Sequence, residues 1–327
     1  MELRHRTRRN RQSPYLRDLV RESHLRTEDF ILPVFLMAGN QKEEIPSMPG
    51  VYRHGLEILP EFLKKAKDLG IRAIAPFPAI DESLKDSRGS ESTNPDGLYL
   101  RALREIKSRF PELVIFSDVA LDPYSSDGHD GIVSSDGRIL NDETLEILGT
   151  MAVAQARAGA DFVAPSDMMD GRVGYIRAAL DGEGFKDTGI LSYCAKYASA
   201  FYGPFRDALQ SAPKSGDKKT YQMDPANIRE ALREYSLDLE EGADMVMVKP
   251  GLPYLDVVRA LAEVSDLPVA VYNVSGEYAM LKAASNAGWL DYPSVVMETL
   301  LGMKRAGADI ILSYHAMEVA SWLAEAK

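Results

Sequence analysis

Short runs of consecutive apolar residues alternate along the chain with longer stretches whose apolar positions recur three and four apart. The runs FILPVFL, FVAP, MVMVK, PVAVY and DIILSY are apolar throughout. A strand of that kind is buried on both faces, as in a parallel sheet. Eight strands are predicted, over Phe30–Leu36, Arg72–Phe77, Leu113–Asp118, Asp161–Pro165, Gly189–Cys194, Asp244–Lys249, Leu267–Tyr272 and Asp309–Tyr314. Helical spacing is found in Leu59–Leu69, Asn141–Ala158, Ala226–Glu241, Tyr254–Val264 and Val295–Arg305. Asn141 and Asp142 are suited to cap the second of these helices.

Three of the helices run into one local phrase: AGADFVAP, EGADMVMVKP and AGADIILSY. Gly159, Gly242 and Gly307 can each take the left-handed conformation that ends a helix, and an Ala-Asp pair then enters the strand. LGIRAIAPFP, with Gly70, is a fainter version. Repeated helix–Gly–strand units with eight strands predict an α/β fold, the closed (β/α)8 TIM barrel. A doubly wound sheet is the alternative; it is weakened by the lack of GxGxxG after the first strand and of GxxxxGK[ST]. The 327 residues show no interdomain linker, so residues 1–26 are expected to be an arm and 27–327 a single catalytic barrel.

Two long insertions, 119–140 and 202–225, follow strands and so belong to the C-terminal mouth, where barrel enzymes build their sites. At the strand ends stand Asp118, Ser166 with Asp167, Lys196, Lys249, Tyr272 with Ser275, and Tyr314 with His315. Lys249 ends a buried strand, where an ammonium is costly unless it is paired or functional. Desolvation and a second nearby cation would convert it to a neutral amine nucleophile; a structural salt bridge is the other reading. Lys196, on the neighbouring strand, would point into the same pocket, and each lysine can form an imine with a carbonyl substrate. The second insertion carries Arg206, Lys214, Lys218 and Lys219 among glycines, as expected of a cationic lid over a carboxylate. The first insertion carries Asp122, Asp127, Asp130 and Asp136 after Asp118, with His129 among them; oxygen ligands of this kind suit magnesium better than zinc. Met168, Met169 and the aromatic residues of 193–205 read as packing.

The formal net charge of −11 is unevenly spread. Residues 1–26 hold eight arginines against Glu2, Asp18 and Glu22, a net of +5, which leaves −16 on the body. Such an arm can contact nucleic acid or lie on an acidic neighbouring subunit; the acidic body favours the second. The single cysteine, Cys194, can form neither an internal disulfide nor a cysteine-based zinc site, and a cytoplasmic location is expected. No apolar run approaches the length of a membrane span.

Six segments together resemble the delta-aminolevulinate dehydratase (porphobilinogen synthase) family: FSDVALDPYSSDGHDGI, APSDMMDGRVGYIR, YCAKYASAFYGPFRDA, MVMVKPGLPYLDVV, VAVYNVSGEYAML and AGADIILSYHA. The resemblance runs in order from about residue 8 to the C-terminus. It implies a (β/α)8 barrel whose N-terminal arm embraces a neighbouring subunit, usually in a homo-octamer. It implies a cytoplasmic lyase of haem and chlorophyll biosynthesis that condenses two molecules of delta-aminolevulinate, with no organic cofactor and no nucleic-acid or membrane partner. By the same resemblance Lys249 holds the substrate that becomes the propionate side and Lys196 the one that becomes the acetate side. Arg206 and Lys218 match cations that bind the second substrate's carboxylate. Ser275 and Tyr314 match residues that bind the first, and Gln222 falls beside the pocket. Many members have three cysteines for catalytic zinc where this chain has Ala120, Asp122 and Asp130. That implies the magnesium-using branch, with a regulatory, allosteric Mg2+ near the arm interface on Glu234 and an open question at Asp118, Asp122 and Asp130. A different imine-forming aldolase, needing one lysine, and a nucleic-acid-binding protein using the arm are the competing functions.

Overall fold

A computed structural model describes residues 3–325. Eight parallel strands, β1 (Phe30–Met37), β2 (Ala73–Pro78), β3 (Val114–Val119), β4 (Phe162–Pro165), β5 (Gly189–Lys196), β6 (Met245–Lys249), β7 (Val269–Asn273) and β8 (Ile310–Ser313), pair in chain order. The barrel closes where Phe30 and Ile31 of β1 pair with Ile311 and Leu312 of β8. The unbroken apolar runs follow from this closure. Along each strand, alternate residues join two separate cores. Ile31, Phe35, Phe77, Phe116, Leu191, Met247 and Leu312 fill the barrel. Leu32, Val34, Ile74, Ile115, Val163, Ile190, Val246 and Ile311 pack outward beneath the helices. The doubly wound alternative is excluded.

The repeated Gly-Ala-Asp phrase joins helix to strand at the barrel's lower end. Gly159, Gly242 and Gly307 have φ of 103°, 100° and 117°. The next residue's N–H reaches back to the last helical turn: Ala160 to Gln155, Ala243 to Asp238, Ala308 to Met303, at 2.9–3.1 Å. That is the Schellman pattern. The aspartate then grips the preceding strand. Asp161, Asp244 and Asp309 each donate their own N–H to Ile115, Ile190 and Val269. Their carboxylates accept the N–H of those same residues at 2.7–2.9 Å. A hydrogen bond of this sort contributes about 1 kcal/mol net, so the phrase both ends a helix and pins a strand.

Several expected details differ. Asn141 and Asp142 do not cap the helix Asn141–Arg157, whose cap position is Leu140. The Asn141 amide is instead engaged with the backbone of Asp170, donating at 3.1 Å and accepting at 2.8 Å. Among the described residues six helices lie outside the predicted ones: Pro14–Leu19, Leu98–Arg109, Arg172–Gly182, Gly203–Leu209, Ser275–Asn286 and Ala316–Glu325. A two-stranded segment, Lys42–Glu44 with Tyr52–Gly55, extends the sheet alongside the upper end of β1. In the arm, the short helix Pro14–Leu19 is capped by Ser13 and buries none of its residues; Tyr15 is 84% and Leu19 80% exposed. Among the described residues no helix is long and apolar enough to cross a membrane.

Candidate active site

The two lysines predicted at strand ends are direct partners in the β5–β6 pairing, Lys249 opposite Lys196. Both are buried, at 5% exposure each. The Lys249 Nζ sits inside four aromatic rings, 5.2 Å from the centroid of Tyr193, 5.3 Å from Tyr202, 4.9 Å from Phe205 and 4.7 Å from Tyr272. The aromatic residues of 193–205, expected as packing, thus supply three walls of this box. Burial first, and the Lys196 charge second, lower the Lys249 pKa to about 7. The rings favour a cation, but they do not offset the loss of water.

Lys196 donates to the Ser166 carbonyl and to Asp130 Oδ1, the latter at 3.3 Å. Lys218, from the second insertion, forms an ion pair with Asp130 Oδ2 at 2.8 Å and donates to Asp122 Oδ2 at 3.4 Å. Asp130 therefore bridges two buried ammonium groups. Burial would raise its pKa, but Lys196 and Lys218 hold it well below the carboxylate range. For Lys218, Asp122 and Asp130 outweigh the effect of burial and raise the pKa. Asp118 behaves oppositely. Burial and the neighbouring Asp122 push it up to about 7, although the Ser166 hydroxyl donates to it at 2.7 Å.

The second insertion lies across the mouth. His129 of the first insertion contacts the Tyr221 hydroxyl at 3.0 Å and the Ser215 carbonyl at 2.9 Å. The Lys214 backbone N–H donates to the Asp127 carbonyl at 3.0 Å. Arg206 is half-buried on the short helix Gly203–Leu209, whose final carbonyls accept from buried Arg53. Ser275 opens the helix Ser275–Asn286 and accepts from the Phe205 N–H at 2.9 Å. The Tyr314 hydroxyl meets that of Tyr272 at 2.9 Å, and its ring stacks on Phe35. Ser275 and Tyr314 thus border the same aromatic box as Lys249. The box walls and the His129 brace were not assigned from sequence, since their partners are scattered along the chain.

Glu234 and Gln222 lie elsewhere, in a cleft of about 290 Å³ with Asn141, Asp170 and Glu230. Burial raises the Glu234 pKa. Carboxylates and an amide carbonyl around a polar cleft are donors that suit Mg2+, which keeps most of its waters and takes one or two carboxylates. Among the described residues no three His, Cys, Asp or Glu side chains are gathered as a preformed metal cage. At the mouth, Asp122 and Asp130 are committed to lysines and do not fit a metal in this arrangement.

A family model described as delta-aminolevulinic acid dehydratase matches residues 4–322. The chain belongs to that family. The chloroplastic delta-aminolevulinic acid dehydratase of Physcomitrium patens is 56% identical, covering 97% of this chain and 74% of that one. The Chlamydomonas reinhardtii dehydratase is 55% identical, covering 98% and 85%. The porphobilinogen synthase of Toxoplasma gondii, solved with its reaction product porphobilinogen, superposes with a TM-score of 0.98 at 51% identity, covering 99% of this chain and 93% of that one. Like other delta-aminolevulinic acid dehydratases, the chain is a lyase that condenses two molecules of delta-aminolevulinate to porphobilinogen. The expectation of a cytoplasmic protein is overturned, because relatives at this identity are named as chloroplastic. The argument from one cysteine fails for a physical reason: a lone buried thiol suits any reducing compartment.

Proposed function

We propose that Lys249 and Lys196 each form an imine with one delta-aminolevulinate. The observation that carries this reading is their direct pairing across β5 and β6, with Lys249 desolvated to a pKa of about 7. A neutral amine attacks the ketone of the first substrate and water leaves. The iminium so formed withdraws electrons and makes the adjacent carbon acidic. Asp118, held near neutrality and bonded to the Ser166 hydroxyl, is placed to carry protons in these steps. The Ser275 and Tyr314 hydroxyls donate to the first substrate's carboxylate, and Arg206 and Lys218 donate to the second's. With both substrates held in one pocket, C–C and C–N bonds form between oriented partners, with net release of two waters. An aldolase using one lysine has no need of the second buried amine in register.

The reading extends to metal and assembly. Glu234, with its cleft, would hold a regulatory Mg2+, which supplies charge for binding a neighbouring surface and takes no part in the bonds made at the mouth. The cationic arm, whose Tyr15 and Leu19 are uncovered, would lie on a neighbouring subunit's acidic body in a homo-octamer. Apolar side chains favour a protein surface over nucleic acid.

Borohydride added with delta-aminolevulinate should fix substrate mass on Lys249 and on Lys196, and Lys249→Ala should abolish pyrrole formation. Normal turnover in Lys249→Ala overturns the assignment.

A further inference from the structure

The helix Ser275–Asn286 begins at the aromatic box and is held there by a buried acid that the proposed chemistry does not use. Glu277 is fully buried. Its Oε1 accepts from the Gly251 N–H at 2.9 Å and the Leu252 N–H at 3.2 Å. These are the second and third residues after Lys249. Its Oε2 accepts from the Asn273 amide at 2.6 Å. Asn273 ends β7, and its Oδ1 in turn accepts from the Ser313 hydroxyl at 2.9 Å. Ser313 ends β8 immediately before Tyr314, and its hydroxyl accepts the His315 N–H at 3.1 Å. One carboxylate thus joins the turn that follows Lys249, the helix that begins with Ser275 and the strand ends leading to Tyr314.

The surrounding backbone leaves little slack. A Cβ at Gly276 would lie 2.5 Å from the Phe201 carbonyl oxygen, so the first helical turn lies directly against that chain. A Cβ at Gly251 would lie 2.9 Å from both Met303 and Val271 side chains. An ionisable side chain taken wholly out of water is costly, and here three N–H donors offset only part of that cost, so that burial still pushes the Glu277 pKa up to about 7. A fold staple of equal strength could be built with apolar packing. What an acid achieves is a fixed span between two reactive features carried on different elements.

We propose that Glu277 is a positioning residue: it sets the distance from the Lys249 amine to the Ser275 and Tyr314 hydroxyls, and thereby selects ketones that carry a carboxylate at that distance. The proposal rests on the reading of Lys249, Ser275 and Tyr314 given above.

Two ketones test it, 4-oxopentanoate and 2-pentanone, which share the carbonyl and differ in the carboxylate. With either, the neutral Lys249 amine adds to the ketone, one proton is taken up as the carbinolamine hydroxyl leaves as water and the C=N+ bond forms, and cyanoborohydride then delivers hydride to that carbon to give a stable secondary amine. The readout is the ratio of the two trapping rates on the full-length protein. In the wild type one charge-assisted hydrogen bond should favour the oxo acid by about 10- to 100-fold. Glu277→Ala should bring the ratio within about 3-fold while trapping of 2-pentanone continues, since a lost span removes the carboxylate's contribution and leaves the amine. Glu277→Gln keeps an oxygen toward Gly251 and Leu252 and should retain most of the preference. Glu277→Asp, one methylene shorter, should lose it, and serves if the alanine variant does not fold. A wild-type ratio near one overturns the carboxylate reading and the proposal with it. A clear wild-type preference kept in Glu277→Ala or Glu277→Asp overturns the proposal alone. Equal loss of both trapping rates assigns Glu277 to folding and also overturns it.

Discussion

Lys249 and Lys196 face each other as direct partners across two adjacent parallel strands, and both are buried at the same depth of the barrel mouth. Like charges so placed disfavour double protonation, and the group without a carboxylate partner yields. Lys196 has Asp130 at 3.3 Å, while among the described residues no carboxylate forms an ion pair with Lys249, whose Nζ lies among aromatic rings; the charges of Asp118 and Asp122 offset its shift only in part.

The first consequence is a pH profile. A lowered lysine pKa means that the proton leaves early, so the neutral amine is already half present near pH 7. Trapping of substrate on Lys249 should rise from about pH 6 to about pH 8 and then level off, whereas an ordinary lysine would keep rising toward about 10.4. Lys196→Met removes the second cause of the shift and should move the profile to higher pH. Burial, the larger cause, remains, so the midpoint should stay below the ordinary lysine value. A profile that does not move would show that the two ammonium groups do not interact.

A second consequence concerns Asp130, the shared counter-ion of Lys196 and Lys218. Asp130→Ala leaves two buried cations without it, and breaking a buried pair in this way costs about 3–5 kcal/mol. Urea unfolding should show a loss of that order. Pairing the change with Lys218→Met should recover part of it, because the orphaned charge is then gone. Hydrogen exchange in residues 211–221 should quicken in Asp130→Ala, since Lys218 is a lid residue anchored by that carboxylate.

Metal dependence gives the third. Magnesium should raise the rate of pyrrole formation, and EDTA should return it to the metal-free rate. Glu234→Ala should flatten this response and the accompanying change in assembly seen by size-exclusion chromatography. The Glu234 cleft is lined by none of the residues of the aromatic box, so the effect must pass through structure or association, as linkage requires. An unaltered magnesium response in Glu234→Ala would remove the regulatory role.

The barrel was legible because its strands are apolar on both faces and because the helix–Gly-Ala-Asp–strand phrase recurs. Even so, the part played by the aspartate, a two-way bond to the preceding strand, is a contact between residues forty or more apart and has no local signature. The helix Ser275–Asn286 was missed because it starts Ser-Gly, a pair that reads as a turn and is used here for close backbone approach. Asn141 looks like a cap by type, yet its amide is taken by the Asp170 backbone, which competes better. Lys249 and Lys196 stood out by position alone. Their electrostatics did not, because Asp130, Lys218 and the aromatic walls arrive from distant segments. The compartment was misread because one thiol does not distinguish among reducing environments.

Lys218 does not wait at the mouth as a bare positive charge. It already holds Asp130 and Asp122, two carboxylates supplied by the chain itself. In its proposed role, an incoming substrate acid must therefore trade places with an internal one, so docking is an exchange of anions and not a simple capture. Such a trade forgoes raw affinity, because a formed pair is broken for each one made. In return the lysine stays protonated, the lid keeps its shape between turnovers, and a molecule without a carboxylate has nothing to offer in the exchange.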